Sequence, residues 1–196
     1  MRYQAVVMGV SAGGMAALNT ILPQLPGNFP LPVIIVQHTH PTSDDFLARY
    51  LDEQCTVDVK EADEKEKILP GVVYLAPPNY HLLVEHDKTL SFSTELPVNF
   101  ARPSIDVLFE TAAEAYGEKV VGVILTGANH DGSQGLSTIK KAGGLVVVQD
   151  PETAEVDAMP RSAIETVQPD HILPLERIGS FLSGLVSVPY SPKMVG

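Results

Sequence analysis

Ser11 lies in Gly9-Val10-Ser11-Ala12-Gly13, directly after the apolar run Ala5-Val6-Val7-Met8 and before a helix-like stretch. That context predicts a sharp strand-to-helix turn, where a serine nucleophile can be exposed. Small neighbours let the backbone fold tightly and a substrate approach. The new helix adds unpaired N–H groups and a positive dipole end for a developing oxyanion. The competing reading is a serine that only caps the helix, since Ser is a favoured N-cap.

A serine nucleophile needs a base to take its proton, and an imidazole base needs a carboxylate to fix its tautomer. His38 follows the apolar run Val33 to Val36 and Gln37, and Asp131 follows Val120 to Leu125 through the turn Thr126-Gly127-Ala128-Asn129-His130. All three candidates therefore sit at the ends of predicted strands, and in an open parallel sheet ligands bind beyond the carboxyl ends of the strands. The chain order Ser, His, Asp is no objection, because such a triad is recognised by geometry and roles. A histidine bonded only to loop backbone, and an Asp131-Gly132 that merely turns and caps the next helix, remain open alternatives.

The elements that must position these residues are legible as alternating patterns. Ala5 to Met8, Val33 to Val36, Val72 to Leu75, Val120 to Leu125 and Leu145 to Val148 are nearly continuous apolar runs. Strands buried on both faces read this way, so we expect an α/β fold: a mostly parallel, doubly wound, Rossmann-like sheet flanked by helices. Apolar positions at helical spacing predict helices through Met15 to Leu25 and Ile105 to Tyr116. The second is opened near Pro103 and closed at Gly117. Further helices are expected over 44–51, 133–142, 160–167 and 175–185. Residues 82–85 and 89–92 around His86-Asp87-Lys88 predict a hairpin adding an antiparallel edge. One domain over residues 1–186 is expected, followed by a loosely held tail, 187–196, with two prolines.

Composition narrows the function classes. The chain has 196 residues, with 24 acidic against 13 basic side chains and a net charge of −11, and no Lys/Arg stripe beyond Lys140-Lys141. Nucleic acid is therefore not an expected partner. No run approaches the roughly 18 uncharged apolar residues of a membrane span, and Met1-Arg2-Tyr3-Gln4 leads straight into a strand with no signal-peptide pattern. A cytoplasmic protein without membrane insertion is expected. The single cysteine, Cys55, excludes an internal disulfide framework. His38-Thr39-His40 lacks an identifiable third ligand, so no metal site is expected, and Gly9, Gly13 and Gly14 do not fit the dinucleotide fingerprint G-x-G-x-x-G. The mixed-sign run Lys60 to Lys67 reads as a solvated loop.

Several spaced motifs occur in order: Gly9-Val10-Ser11-Ala12-Gly13-Gly14, Gln37-His38, Ala76 to His81, Arg102-Pro103-Ser104-Ile105-Asp106-Val107-Leu108-Phe109, Leu125-Thr126-Gly127 with Asp131-Gly132, Gln149-Asp150, and Met159-Pro160. Together they resemble the catalytic domain of the chemotaxis receptor glutamate methylesterases (CheB), over about residues 5–185. The resemblance implies Ser11 as nucleophile, His38 as general base and acid, and Asp131 as the orienting carboxylate. Oxyanion N–H groups would begin at Ala12 and Gly13. The implied reaction is hydrolysis of γ-glutamyl methyl esters on the cytoplasmic helical region of a methyl-accepting chemotaxis receptor. Deamidation of receptor glutamines by the same acyl-enzyme route would extend it, and neither metal nor organic cofactor is required.

Two further candidates have open roles. Arg102 could contact acidic groups beside the target glutamate or form an ordinary surface ion pair. Thr126 could bond within the loop that carries Asp131 or only cap backbone. The family loop Thr-Gly-Met-Gly is here Thr126-Gly127-Ala128-Asn129, without the methionine that would line the site and without a flexible glycine. Family members that are response regulators carry a receiver domain ahead of the esterase, whereas here the first strand begins almost at Met1, so phosphorylation control is not expected. We expect a monomer. Two other readings stay open: an esterase of this fold acting on another substrate, and a non-catalytic receptor-binding module.

Overall fold

The computed structural model describes residues 2–186. The expected tail, 187–196, lies outside the described residues. Seven parallel strands form one sheet: β1 (Ala5–Val10), β2 (Val33–Gln37), β3 (Asp58–Glu61), β4 (Val72–Leu75), β7 (Val120–Ile124), β8 (Leu145–Gln149) and β9 (His171–Leu173). Their order is β3-β4-β2-β1-β7-β8-β9. The chain runs from β1 through β2 to the edge strand β3, inserts β4 between β3 and β2, and then crosses to β7 on the other side of β1. The order of strand addition therefore reverses between β1 and β7, and the crevice beyond their carboxyl ends is the expected place for a ligand.

Every residue of β1 and β7 is buried, because helices cover both faces. The side chains alternate between two cores. Val6, Met8, Val10, Val33 and Ile35 face the layer of α1 (Gly14–Ile21), α2 (Phe46–Gln54) and α6 (Leu175–Val186). Ala5, Val7, Ile34 and Val36 face α3 (Ile105–Tyr116), α4 (Ser133–Lys141) and α5 (Ala158–Thr166). Each fully buried Leu, Ile or Val contributes about 1.5–3 kcal/mol by leaving water.

The antiparallel hairpin is present as β5 (His81–Val84) and β6 (Leu90–Ser93), with Leu82 opposite Phe92. It forms a two-stranded sheet of its own. It is held to α3, where Val84 N–H donates to Thr111 Oγ1, and to the segment before β4, where Lys65 N–H donates to Leu90 O.

Two strands lie where the sequence suggested none. β3 (DVKE) occupies the start of the charge run expected to be a solvated loop, and β9 has three residues. Both are edge strands. In β3 only Val59 is buried, while Lys60 reaches out to Asp63 and Glu66 at 2.7 Å each.

Candidate active site

Three strand ends are tied together by backbone bonds that continue the sheet past its strands. His38 N–H donates to Val10 O, Leu125 N–H to Gly9 O, and Ser11 N–H to Thr126 O, all within 3.0 Å. Gly9 makes the approach of α3 possible, since a Cβ there would lie 2.3 Å from Ile105 Cγ2. The start of α3 is thereby packed against the end of β1.

The turn after β1 leaves Ser11 half-buried and does not use it as a cap. The residue before α1 is Gly13, at φ +79°, a left-handed conformation that glycine adopts freely. Ser11 Oγ lies 3.2 Å from His38 Nδ1, and His38 Nε2 lies 2.8 Å from Asp131 Oδ2. An ionised carboxylate only accepts, so Nε2 carries the hydrogen donated to Asp131. Nδ1 then has its lone pair directed at the Ser11 hydroxyl. In the serine-protease arrangement the carboxylate holds Nδ1 and the serine faces Nε2; here the ring works the other way round.

Asp131 is completely buried. Rather than capping the helix that follows it, it reaches across to α3. Its carboxylate accepts the N–H groups of Ile105 (2.7 Å) and Asp106 (3.2 Å), the Ser104 hydroxyl (2.8 Å) and the Asn99 amide (3.0 Å). Burial pushes its pKa up, but the bonds from His38, Asn99, Ile105 and Ser104 outweigh burial and leave it below the usual carboxylate value. Asp106 returns the favour to α4 by accepting Gly135 N–H at 2.7 Å. Burial, and after it the charge of Asp131, raise the Asp106 pKa.

Thr126 braces the turn that carries Ser11. Its hydroxyl donates to Ala12 O at 2.8 Å and accepts Val156 N–H at 2.9 Å, while its own N–H donates to Gln149 Oε1. Gln37 joins two of the three strand ends, its Nε2 donating to both Ser11 O and His38 O. The N–H groups of Ala12 and Gly13 donate to no acceptor among the described residues. Asn129 accepts Asp131 N–H at 3.1 Å, which shapes the loop that carries this aspartate.

Arg102 forms no ion pair among the described residues. It donates to the carbonyls of Thr94 and Glu95 and, through Nε and Nη2, to Asn79 Oδ1. The guanidinium therefore ties down the loop before α3, with one edge beside the cleft that also contains His38, Phe100 and Asn129. His81 is a bonded interior histidine: Nδ1 accepts Ser104 N–H and Nε2 donates to Leu96 O. His40 Nδ1 lies 2.9 Å from Thr42 Oγ1.

An open cleft of about 600 Å³ adjoins Ser11, walled by Gly13, Met15, Gln37, Leu47, Tyr50 and Glu155. Among the described residues no helix is long and apolar enough to cross a membrane. Asn99, Ser104 and Asp106 were not singled out as site residues in the sequence. Ser104 and Asp106 fall inside a quoted motif, but nothing local marks Asn99.

The family model for CheB methylesterase matches residues 6–182. A Leptospira interrogans protein, provisionally named protein-glutamate methylesterase/protein-glutamine glutaminase, is 61% identical over 178 residues, covering 91% of this chain and 92% of that one. A Thermotoga maritima protein-glutamate methylesterase/protein-glutamine glutaminase is 41% identical over 184 residues, and the match spans 92% of this chain and 54% of that protein. The crystal structure of the Thermotoga maritima CheB methylesterase catalytic domain superposes with a TM-score of 0.90 at 40% identity, covering 94% of this chain and 99% of that one. With the parallel sheet and strand order already described, these matches establish that the chain belongs to the CheB methylesterase family.

Proposed function

We propose that this chain hydrolyses γ-glutamyl methyl esters on the cytoplasmic helical region of methyl-accepting chemotaxis receptors, with Ser11 as nucleophile, His38 as general base and acid, and Asp131 as the orienting carboxylate. The observation that carries the reading is the continuous relay from Ser11 Oγ through both ring nitrogens of His38 to Asp131, in a chain of this family.

Ser11 Oγ attacks the ester carbonyl as its proton passes to His38 Nδ1. The tetrahedral oxyanion is held by the Ala12 and Gly13 N–H groups at the start of α1. Asp131 stays ionised and stabilises the imidazolium that forms. On collapse the C–O bond to methoxide breaks, His38 returns its proton, and methanol leaves. Water then gives a proton to His38 as its oxygen attacks the acyl carbon; the bond to Ser11 Oγ breaks, His38 returns the proton to that oxygen, and the glutamic acid released ionises to its carboxylate. A glutamine side chain, losing ammonia in place of methanol, follows the same path, so deamidation belongs to the proposal. The protein works in the cytoplasm as a monomer.

A fluorophosphonate tests the nucleophile independently of the substrate. Rapid labelling of Ser11 at neutral pH, abolished in His38→Ala, is the expected result. A folded parent protein that does not label would make this chain a binding module.

A further inference from the structure

Two buried carboxylates meet at the start of α3. Asp131 Oδ1 and Asp106 Oδ2 accept the same amide group, Asn99 Nδ2, at 3.0 and 2.7 Å. Both hydrogens of that nitrogen are thereby spent on negative charge. Asn99 comes from neither helix. It sits in a tight turn closed by Val98 N–H to Ala101 O and Ala101 N–H to Val98 O, with Asn99 at φ +51° and Phe100 at φ +63°. Paired positive φ values make the turn type I′, in which Asn is favoured at the first central position. A bulky side chain is disfavoured at the second. Phe100 is nevertheless held there, fully exposed beside the His38 cleft. Charge-assisted bonds from Asn99, and the Arg102 brace on Thr94 and Glu95, hold the turn in this conformation.

We propose that Asn99 is a positioning residue for hydrolysis at Ser11: its amide lets Asp131 and Asp106 lie side by side as anions and keeps Asp131 aligned on His38. The inference rests on the roles proposed above for Ser11, His38 and Asp131. Like charges this close disfavour each other's ionisation, and a donor shared between them offsets that repulsion. The charged and titratable groups around Asp131 are His38 at the end of β2, Asp106 and Glu110 on α3, and His130 next to it in its own loop. His81 on β5 reaches it through Ser104. No lysine or arginine hydrogen-bonds or ion-pairs with either aspartate among the described residues, so the Asn99 amide takes a cation's place.

Two substitutions separate this role from that of a turn former. Asn99→Gly suits the left-handed backbone and removes the amide. Asn99→Asp keeps the shape and replaces donors with a third carboxylate. The rate of Ser11 labelling by a fluorophosphonate is followed from weakly acidic to weakly alkaline pH, and kcat and KM are measured on a methylated receptor fragment. The expected result is an acid limb of labelling moved up by about one pH unit in Asn99→Gly and further in Asn99→Asp. We expect kcat to fall about 10-fold with KM little changed. An acid limb at the parental position in either variant, or a rise in KM alone, would overturn the proposal. Should Asn99→Asp not fold, Asn99→Gly decides by itself. A parent that labels but releases no methanol would refute the receptor substrate and leave the labelling profile to judge Asn99.

Discussion

Asp131 Oδ2 accepts the backbone N–H of Ile105 at 2.7 Å, and the same oxygen faces His38 Nε2 at 2.8 Å. The carboxylate that bonds His38 is therefore also the cap of α3. Removing it strips a donor's partner from His38 and leaves N–H groups at a buried helix start unsatisfied. Asp131→Ala is expected to lower turnover by about 10⁴-fold and to destabilise the fold by about 3 kcal/mol. Ser11→Ala should lose as much activity with almost no loss of stability. Denaturant unfolding of the two variants checks the contrast, and equal stabilities would contradict the shared role.

The pH dependence of stability follows from the direction of the Asp131 shift. Its folded pKa lies below the ordinary value, so the unfolded chain binds more protons in that window. The carboxylate stabilises the fold fully above the unfolded value of about 3.9, and that contribution is lost as pH falls through the folded value. Asp106 is shifted upward and works in the opposite sense, penalising the fold at neutral pH and relenting on acidification. Asp131→Asn should accordingly melt below the parent at neutral pH, with the gap closing below about pH 4. Melting temperatures measured over that range would contradict this if the gap stayed constant.

Gly127 is packed against Ser11. A Cβ there would lie 2.9 Å from Ser11 Cβ and 2.6 Å from Met159 Cε. The methionine tip can swing away, but Ser11 cannot retreat without leaving His38. Gly127→Ala is expected to reduce kcat/KM by about 100-fold, as small misplacements of a reacting group do, for a stability loss of about 1–2 kcal/mol. An active Gly127→Ala enzyme would show that the Ser11 position tolerates this pressure.

Cys55 should be chemically quiet. Burial, and after it the nearby Asp52 charge, push its thiol up to about 11, so little thiolate exists at neutral pH. Iodoacetamide is expected to modify it slowly in the native protein and quickly in denaturant. Fast native alkylation, followed by mass spectrometry, would contradict this environment.

The central strands and most helices were legible because burial on both faces writes a continuous apolar run, as in β1 and β7. The edge strands were not. β3 carries Asp58, Lys60 and Glu61 because an edge exposed to water tolerates charge and is protected by it from pairing with another chain. β9 is too short to show a period. Ser11, His38 and Asp131 could be picked out locally as polar residues at strand ends. Asn99 and Asp106 could not, because their meaning lies in contacts with Asp131, which is 32 and 25 positions away along the chain. Arg102 showed the converse: a conspicuous charge whose partners are carbonyl oxygens, which no residue type announces.

Methanol release from a methylated chemoreceptor fragment, by the parent and by Ser11→Ala at equal concentration, tests the central claim most directly. The parent should release methanol and leave free glutamate carboxylates, while Ser11→Ala should fall by about 10⁴-fold or more. Equal release by both proteins, or none by a folded parent, would contradict it.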